Sequence, residues 1–240
     1  MGIAYNTSIV TDGLMFSLDA ANVRSYSGSG NTAYSLFNTF NMSLNNGVGF
    51  TSTDRGMFVF DGANDSITST NYNIPYNNNA EFTIEVVCKF NSNPNSYQTV
   101  FLYGNSNQSQ GLIFSKSRSG YGNGWVYGGV VSNSIGIFAT TTLNGDQIVA
   151  LGLAHYTITF SKPSSVFVAR MYINGDLNNT NTTAISTYTM SGLNFFGLSS
   201  GGSFSEPVNG NIALFKFYNR ALSAAEVKQN YNALRDRFGI

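Results

Sequence analysis

The sequence predicts an all-β fold of the sandwich or barrel type with one helix near its end. Short segments in which apolar and polar residues alternate recur along the 240 residues, too closely spaced for helices between them. Gly, Asn and Ser fill the gaps, and the Asn-Gly pairs at 144–145 and 174–175 are the pairs that two-residue hairpin turns prefer. A capped segment with helical spacing appears after residue 222.

The clearest predicted strand is Phe82–Phe90. Side chains alternate across a strand, so the apolar residues at every second position from Phe82 belong to the core. Thr83, Glu85 and Lys89 make the other face mostly polar. The other predicted strands are residues 13–19, 57–60, 99–103, 111–114, 125–131, 155–160, 167–173 and 212–218.

A C-terminal helix is predicted over residues 224–235. Ser223 caps its first turn, Glu226 reaches back to the backbone amide of the cap, and Leu222 packs against Val227 as a hydrophobic staple. We expect the helix to dock on the sandwich as a structural plug at a sheet edge, in preference to binding a partner. Its apolar residues with helical spacing are Val227, Tyr231 and Leu234.

The composition predicts one domain over residues 1–240, with residues 1–12 as an N-terminal arm. A hydrophobic content of 42% is enough for a core, and no Pro-rich or charge-rich linker divides the chain. Charged residues make up 10% against an average of about 25%, so neutral polar residues must cover the surface. The net charge is +0 and basic residues do not cluster, which argues against nucleic acid and membrane surfaces as partners.

The single cysteine and the single histidine exclude several kinds of site. Cys88 has no partner for an intrachain disulfide, and one histidine rules out a His-based triad together with a multi-histidine metal site. Cys88 faces inward on its predicted strand, which favours an inert small hydrophobe over a nucleophile. Residues 1–10 lack the pattern of a signal peptide, so we expect synthesis in the cytoplasm without export.

Five segments occur in a characteristic order: residues 58–67 (FVFDGANDSI), 82–86 (FTIEV), 155–160 (HYTITF), 171–175 (MYING) and 210–223 (GNIALFKFYNRALS). In this order, across almost the whole chain, they resemble the concanavalin A-like lectin/glucanase superfamily in its laminin-G-like branch. The resemblance implies a two-sheet antiparallel jelly-roll sandwich whose first and last strands are adjacent. It also implies a structural role for the histidine.

The ends of the sequence resemble the version of this domain that occurs in tailed-phage virion proteins. The resemblance lies in residues 13–23 (GLMFSLDAANV), 25–30 (SYSGSG), 230–233 (NYNA) and 237–239 (RFG). It implies a non-enzymatic component of the virion: a capsid decoration, fibre or tail protein that docks on other virion subunits. A homo-oligomer is expected because virion accessories sit on symmetry axes. Adhesion to a host cell-surface glycan is compatible with this role.

The alternative function is a carbohydrate-binding lectin module. Arg118, Tyr121, Trp125 and Tyr127 combine basic and aromatic side chains in and after the segment 115–124. A sugar ring stacks on an aromatic face while polar side chains meet its hydroxyl groups. The competing interpretation is a mobile hairpin with Trp125 anchored in the core.

A glycoside hydrolase is the third hypothesis and the least favoured. Enzymes of this superfamily place three carboxylates at alternate positions on one strand. Glu81, Thr83 and Glu85 have that spacing, but the central residue is Thr. The outer two would lie about 13 Å apart by strand rise, beyond the roughly 5–9.5 Å that hydrolysis needs. Solvated strand residues are the preferred interpretation, and we expect no enzymatic activity.

Asp61 and Asp65, with Asn64 between them, are the candidate metal ligands. Their oxygen atoms suit Ca²⁺, whereas the competing interpretation is a turn in which these side chains bond to their own backbone. We favour the turn, because no dense group of Asp residues elsewhere completes six or more ligands. Apart from this candidate Ca²⁺ site, no cofactor is expected.

Overall fold

The computed structural model describes residues 8–37, 40–69, 81–93, 96–104, 110–117, 124–132, 135–183, 195–199 and 206–240. Within them the strands form two antiparallel sheets of eight strands each, accompanied by two α-helices and a short 3-10 helix (Thr53–Arg55). This is the jelly-roll sandwich that the sequence predicts. None of the helices within these ranges is long and apolar enough to span a membrane.

The first sheet has the order β14-β13-β12-β7-β16-β5-β4, and β1 also pairs with β16. The first and last strands are therefore adjacent, as the resemblance implies. Asn174 and Gly175 both have positive φ and join two strands in the predicted hairpin turn. The strands are β1 (Leu14–Asp19), β4 (Gly49–Thr51), β5 (Met57–Asp61), β7 (Phe82–Phe90), β12 (Ala154–Ser161), β13 (Phe167–Ile173), β14 (Asp176–Thr183) and β16 (Asn209–Tyr218).

The second sheet has the order β11-β10-β9-β8-β15-β6-β3-β2. Its inner face meets that of the first sheet in a core rich in aromatic rings; Phe101 and Phe215, one from each sheet, have centroids 4.5 Å apart. The strands are β2 (Thr32–Tyr34), β3 (Asn41–Asn45), β6 (Ser66–Ser69), β8 (Gln98–Gly104), β9 (Gln110–Lys116), β10 (Val126–Ser132), β11 (Ile135–Thr140) and β15 (Phe195–Leu198).

Asparagine side chains close the sandwich where the edge strands β11 and β14 meet. Asn181 Nδ2 donates to the Phe138 carbonyl oxygen over 2.8 Å, and Asn179 Nδ2 donates to Thr140 Oγ1 over 3.3 Å. β14 is polar at every position except Leu177 and was not predicted, because it lacks the apolar alternation by which half-buried strands are recognised.

Helix α2 (Ala224–Phe238) covers the outer face of the first sheet. Ser223 and Glu226 form the predicted capping box, and the helix runs three residues beyond its predicted end, to the left-handed Gly239. Val227 packs with Leu222, as predicted, and Leu234 is also buried. Tyr231, predicted to dock, is only partly buried, and the polar Asn230 is fully buried instead.

The prediction of a hairpin turn at Asn144-Gly145 was wrong. Asn144 caps a second helix, α1 (Gly145–Ala150), whose Ile148 joins the core. The Asn144 side chain accepts a hydrogen bond from the Gln147 amide, and the Gln147 side chain accepts one from the Asn144 amide. This capping box satisfies two backbone donors at once, which favours a helix over a two-residue turn.

Candidate functional site

The outer face of the first sheet contains a buried polar network under helix α2. Glu85 Oε1 on β7 lies 2.7 Å from Lys216 Nζ on β16 and 3.2 Å from His155 Nε2 on β12. From the helix, Asn230 Nδ2 donates to Glu85 Oε2 over 2.6 Å. All four side chains are buried, so the network fixes the helix to the sheet.

The ion pair keeps the Glu85 carboxylate charged inside the protein. Burial raises the pKa of this carboxyl, but the charge of Lys216 and the hydrogen bond and charge of His155 lower it further, to about 2. Cys88 lies in the core, where burial raises the pKa of its thiol well above its usual range. The thiolate is disfavoured there, which agrees with an inert side chain.

The interpretation of Glu81, Thr83 and Glu85 as solvated strand residues was wrong. Glu85 and Thr83 are 0% exposed, because helix α2 and the segment before it cover them. Thr83 Oγ1 donates to the Arg220 carbonyl oxygen and accepts from the Leu222 amide, both over 2.9 Å. Glu81 Oε1 accepts from the Lys162 amide over 2.7 Å. All three side chains have structural partners, and Glu85 is not accessible to a substrate.

Within the described residues, no helix lies on the outer face of the second sheet. Strands β8 to β11 of this sheet direct rows of side chains towards that outer face. Thr99, Ser115, Tyr127 and Thr140 are paired in register across these four strands. Val126 and Val130 belong to the core between the sheets, so the alternating residue Tyr127 faces outward. Tyr127 and Thr140 are partly exposed and contribute to a candidate binding surface, whereas Thr99 and Ser115 in the same row are 0% exposed.

A second outward row contains Leu102, Ile113, Gly129 and Phe138, again paired in register. The rings of Tyr127 and Phe138 meet edge to face, with centroids 5.3 Å apart. Gly129 lies between Ile113 and Phe138 in this row and contributes no side chain to it. Its φ of +155° lies outside the usual range of other residues, and a Cβ atom there would meet the Ile137 carbonyl oxygen.

Trp125 extends the surface beyond the end of β10. Its carbonyl oxygen accepts from the Ser117 amide over 2.7 Å, so the pairing of the two strands continues to this residue. Trp125 precedes Tyr127 by two positions and thus faces the same side. It is 38% exposed, whereas the core position is taken by Val126. The interpretation in which Trp125 is anchored in the core was therefore wrong.

A polar chain crosses the same surface. Thr99 Oγ1 donates to Glu206 Oε2 over 2.5 Å and lies 3.2 Å from Ser115 Oγ, which is hydrogen-bonded to the Tyr127 phenol. Burial, together with the charges of Glu206 and Tyr97, raises the pKa of Tyr127 to about 12 despite the hydrogen bond from Ser115. The aromatic face, as we call it, comprises Tyr97, Trp125, Tyr127 and Phe138, all at least partly exposed; the neighbouring Thr99 and Ser115 are 0% exposed.

Lys116 lies next to this surface but faces the interior. It is paired with Val126, a core residue, and is 0% exposed. Its Nζ donates to Asn93 Oδ1 over 2.5 Å, and Asn93 Nδ2 in turn donates to Asp146 Oδ1. Burial lowers the pKa of Lys116 to about 8, although Asp146 opposes this effect. The positive charge is thus directed to the end of the sandwich occupied by α1.

The residues proposed from the sequence for glycan binding are only partly described by the structure. Trp125 and Tyr127 lie side by side on the aromatic face, while Arg118 and Tyr121 lie outside the described residues. The sequence analysis missed Tyr97, Phe138 and Glu206. Phe138 reaches the Tyr127 ring only through the pairing of β10 with β11, and Tyr97 acts on Tyr127 from the start of β8, so that local sequence patterns reveal neither contact. Glu206 is separated from Thr99 by 107 positions.

Asp61 and Asp65 make the hydrogen bonds that the turn interpretation predicts. Asp65 Oδ2 accepts from the Asp61 amide over 3.0 Å, and Asp61 Oδ1 accepts from the Ala63 amide over 2.8 Å. Asp65 Oδ1 is buried and has no hydrogen-bond partner among the described residues. Burial raises the pKa of Asp65, as does the neighbouring Asp61 carboxylate. The described part of the chain holds no group of three or more His, Cys, Asp or Glu side chains that suits a metal ion.

The protein is thus a jelly-roll domain in which helix α2 covers one sheet and the other sheet presents partly exposed aromatic rings. The chain belongs to the concanavalin A-like lectin/glucanases superfamily, whose family model matches residues 61–228. A search of curated proteins gave no match.

Solved structures share the fold. The binding domain of Paraclostridial Mosquitocidal Protein 1 superposes with a TM-score of 0.66 and 20% identity over 92% of this chain and 52% of that one. The botulinum neurotoxin serotype D binding domain superposes with a TM-score of 0.65 and 14% identity, over 95% of this chain and 52% of that one. Trypanosoma rangeli sialidase in complex with sialic acid superposes with a TM-score of 0.63 and 13% identity, over 96% of this chain and 34% of that one. This chain spans about half the length of the two toxin domains and about a third of the sialidase.

Proposed function

We propose that this protein is a carbohydrate-binding module and that it binds glycans on the aromatic face. The observation that carries the proposal is the group of partly exposed rings of Trp125, Tyr127 and Phe138 on the outward side of β10 and β11, with Tyr97 close enough to act electrostatically on Tyr127. Sugar rings stack on such aromatic faces. Similar folds in toxin binding domains and in a sialidase bound to sialic acid support the proposal.

Glycan-array binding of the wild type and of Trp125→Ala tests this function. We expect the substitution to abolish or strongly weaken binding, because a stacking surface is removed while the fold is kept. Phe37→Ala is the matched control, since Phe37 is an aromatic residue with 50% exposure close to β2, at the opposite edge of the same sheet. Binding that is equally strong in both variants, or an array without any binding, would overturn the proposal.

We propose further that the module is not an enzyme. Glycoside hydrolysis needs two carboxyl groups roughly 5–9.5 Å apart on either side of the bond. On the outward side of β8 to β11 and next to it, the described residues place one carboxylate, that of Glu206. Incubation with bound glycans, followed by an assay for reducing ends, checks this: release of reducing sugar would establish a hydrolase.

A place in the virion of a tailed phage remains a prediction of the sequence. In that role the protein is a homo-oligomeric decoration, fibre or tail component that docks on other virion subunits and uses the aromatic face for host adhesion. Mass spectrometry and electron microscopy of purified particles test it. A fixed copy number on capsid or tail would support the role, and absence from the particles would contradict it.

Calcium binding at Asp61 and Asp65 is a further proposal from the sequence. The buried Asp65 Oδ1, without a described partner, suits a cation, although two of the four carboxylate oxygens are engaged in the turn. Thermal unfolding with CaCl₂ and with a chelator tests it. Stabilisation by Ca²⁺ in the wild type and its loss in Asp65→Asn would support a site, and equal unfolding temperatures in both conditions would exclude one.

A further inference from the structure

The accessible part of the outer face of the second sheet lies on its β10 and β11 side. In the first outward row, Ser115 of β9 is 0% exposed, whereas Tyr127 of β10 and Thr140 of β11 are partly exposed. The second row follows the same order, because Ile113 is 3% exposed and Phe138 is partly exposed. A molecule that packs against the exposed rings therefore extends over β11 towards β14, and not over β8 and β9.

The edge strand β14 is held firmly against this accessible side. Asn178 Oδ1 accepts from the Thr142 amide over 2.8 Å, and Asn178 Nδ2 donates to Thr142 Oγ1 over 3.1 Å. Asn181 Nδ2 donates to the Phe138 carbonyl oxygen over 2.8 Å. These contacts fix the boundary between β11 and β14, so the polar side chains along it have defined positions next to the rings.

One pair of side chains at this boundary has hydrogen-bonding capacity left over. Thr140 lies directly opposite Tyr127, and the Cβ atoms of such cross-strand pairs are about 4.5–5.5 Å apart. Asn179 Nδ2 donates to Thr140 Oγ1 over 3.3 Å, and Asn179 Oδ1 accepts from the Thr180 amide over 2.8 Å. Among the described residues, the Thr140 hydroxyl proton and the second Asn179 amide proton have no acceptor, and both side chains are partly exposed.

From this geometry we infer that Thr140 and Asn179 determine the glycan specificity of the aromatic face by binding two neighbouring hydroxyl groups of one sugar ring. That ring packs against Tyr127 and Phe138. The two polar atoms, 3.3 Å apart, are spaced to reach adjacent oxygen atoms of a single ring. Because the strands already hold both side chains, little side-chain freedom is lost on binding. The inference rests on the proposed carbohydrate-binding function and adds the chemical group that is recognised, a vicinal diol.

Titration calorimetry tests the inference, with the oligosaccharide that binds most strongly in the glycan array and each of its monodeoxy forms as probes. In the wild type, removal of either of two neighbouring hydroxyl groups should weaken binding about two- to tenfold, the factor that one hydrogen bond of ordinary strength provides. Thr140→Val should weaken binding of the parent sugar to a similar extent and abolish the effect of one of these two deoxy changes, because directly contacting groups are energetically coupled. Asn179→Ala should abolish the effect of the other, and Thr140→Ser, which retains the hydroxyl group, should bind like the wild type.

Thr182→Val is the matched control. Thr182 is an exposed residue of β14 that pairs with Val168, and Val168 lies outside the core between the sheets, so Thr182 faces the outer side of the first sheet. The change should leave every affinity unaltered, and the thermal unfolding midpoints of all variants should stay close to that of the wild type.

Two results would overturn the specificity: deoxy effects confined to hydroxyl groups that are not neighbours, or deoxy effects that neither Thr140→Val nor Asn179→Ala removes. Binding that still depends on Trp125 would then leave the proposed function intact. An array without any bound glycan would overturn the proposed function itself, and this inference with it.

Discussion

Asn230 of α2 and Glu85 of β7 form a hydrogen bond of 2.6 Å in the interior, although 145 positions separate them in the sequence. The Asn230 amide also donates to the Tyr218 phenol over 3.0 Å, and its oxygen accepts from the Val10 amide over 2.8 Å. One polar side chain on the buried face of the helix thus connects the residues before β1 with two strands of the first sheet.

Asn230→Leu should be strongly destabilising. The change leaves a buried carboxylate oxygen and a buried backbone amide without a partner, and we expect a loss of roughly 2–4 kcal/mol in the free energy of unfolding. Urea denaturation followed by circular dichroism measures it. Lys228→Ala is the control on the same helix, because its ion pair with Asp176 is exposed and should contribute at most about 1 kcal/mol. Equal losses in the two variants would contradict a special role of Asn230.

The stability of the protein should fall in acid because of Glu85. The pKa of this carboxyl is lowered from 4.5 to about 2 in the folded state, so folding favours the ionised form. The resulting stabilisation is complete above pH 4.5 and is lost as the pH decreases towards 2. The shift corresponds to about 3 kcal/mol at most.

Unfolding free energies measured between pH 6 and pH 2, in roughly unit steps, check this dependence. Glu85→Gln should be less stable at neutral pH and should lose less stability on acidification. Glu226, whose pKa is also lowered to about 2, first by its hydrogen bond with Arg220, contributes to the same window. Glu226→Gln therefore serves as a comparison. An identical pH profile in the wild type and Glu85→Gln would show that the buried pair does not cause the acid sensitivity.

The fold was largely predictable because its central elements carry local signals. Phe82–Phe90 and Phe167–Ile173 coincide with β7 and β13, and the cap at Ser223 gives the start of α2. Several strands were missed: β14 contains Asn and Thr at most positions, β2 to β4 are short, and β6, β11 and β15 were not predicted either. These strands form because neighbouring strands present backbone partners to them.

The candidate site was less predictable than the fold. Trp125 and Tyr127 stand out by residue type and spacing, but their partners are brought together by strand register. No local sequence pattern predicts the contact between Thr99 and Glu206, because it depends on how the segment before β16 packs against β8. The polar face of β7 similarly looks solvated until helix α2 is placed over it.

The capping box of α2 should contribute measurably to stability. Ser223 Oγ accepts from the Glu226 amide, and Glu226 Oε2 accepts from the Ser223 amide over 2.8 Å. Ser223→Ala removes the first of these contacts and should cost about 1 kcal/mol. Ser223→Asp retains an acceptor and should stay close to the wild type. Thermal unfolding of the three proteins measures the difference, and an unchanged midpoint for the alanine variant would contradict the role of the cap.

Cys88 should be unreactive in the folded protein and reactive after unfolding. Its side chain is 1% exposed in the core between the sheets, and burial raises the pKa of the thiol, so both access and ionisation are unfavourable. An Ellman assay at pH 8 should give almost no signal in native buffer and one thiol per chain in guanidinium chloride, since the sequence contains a single cysteine. As a control, Cys88→Ala should give no signal in either condition. Rapid reaction of the native wild type would mean that the core at β7 opens to solvent much more often than its packing implies.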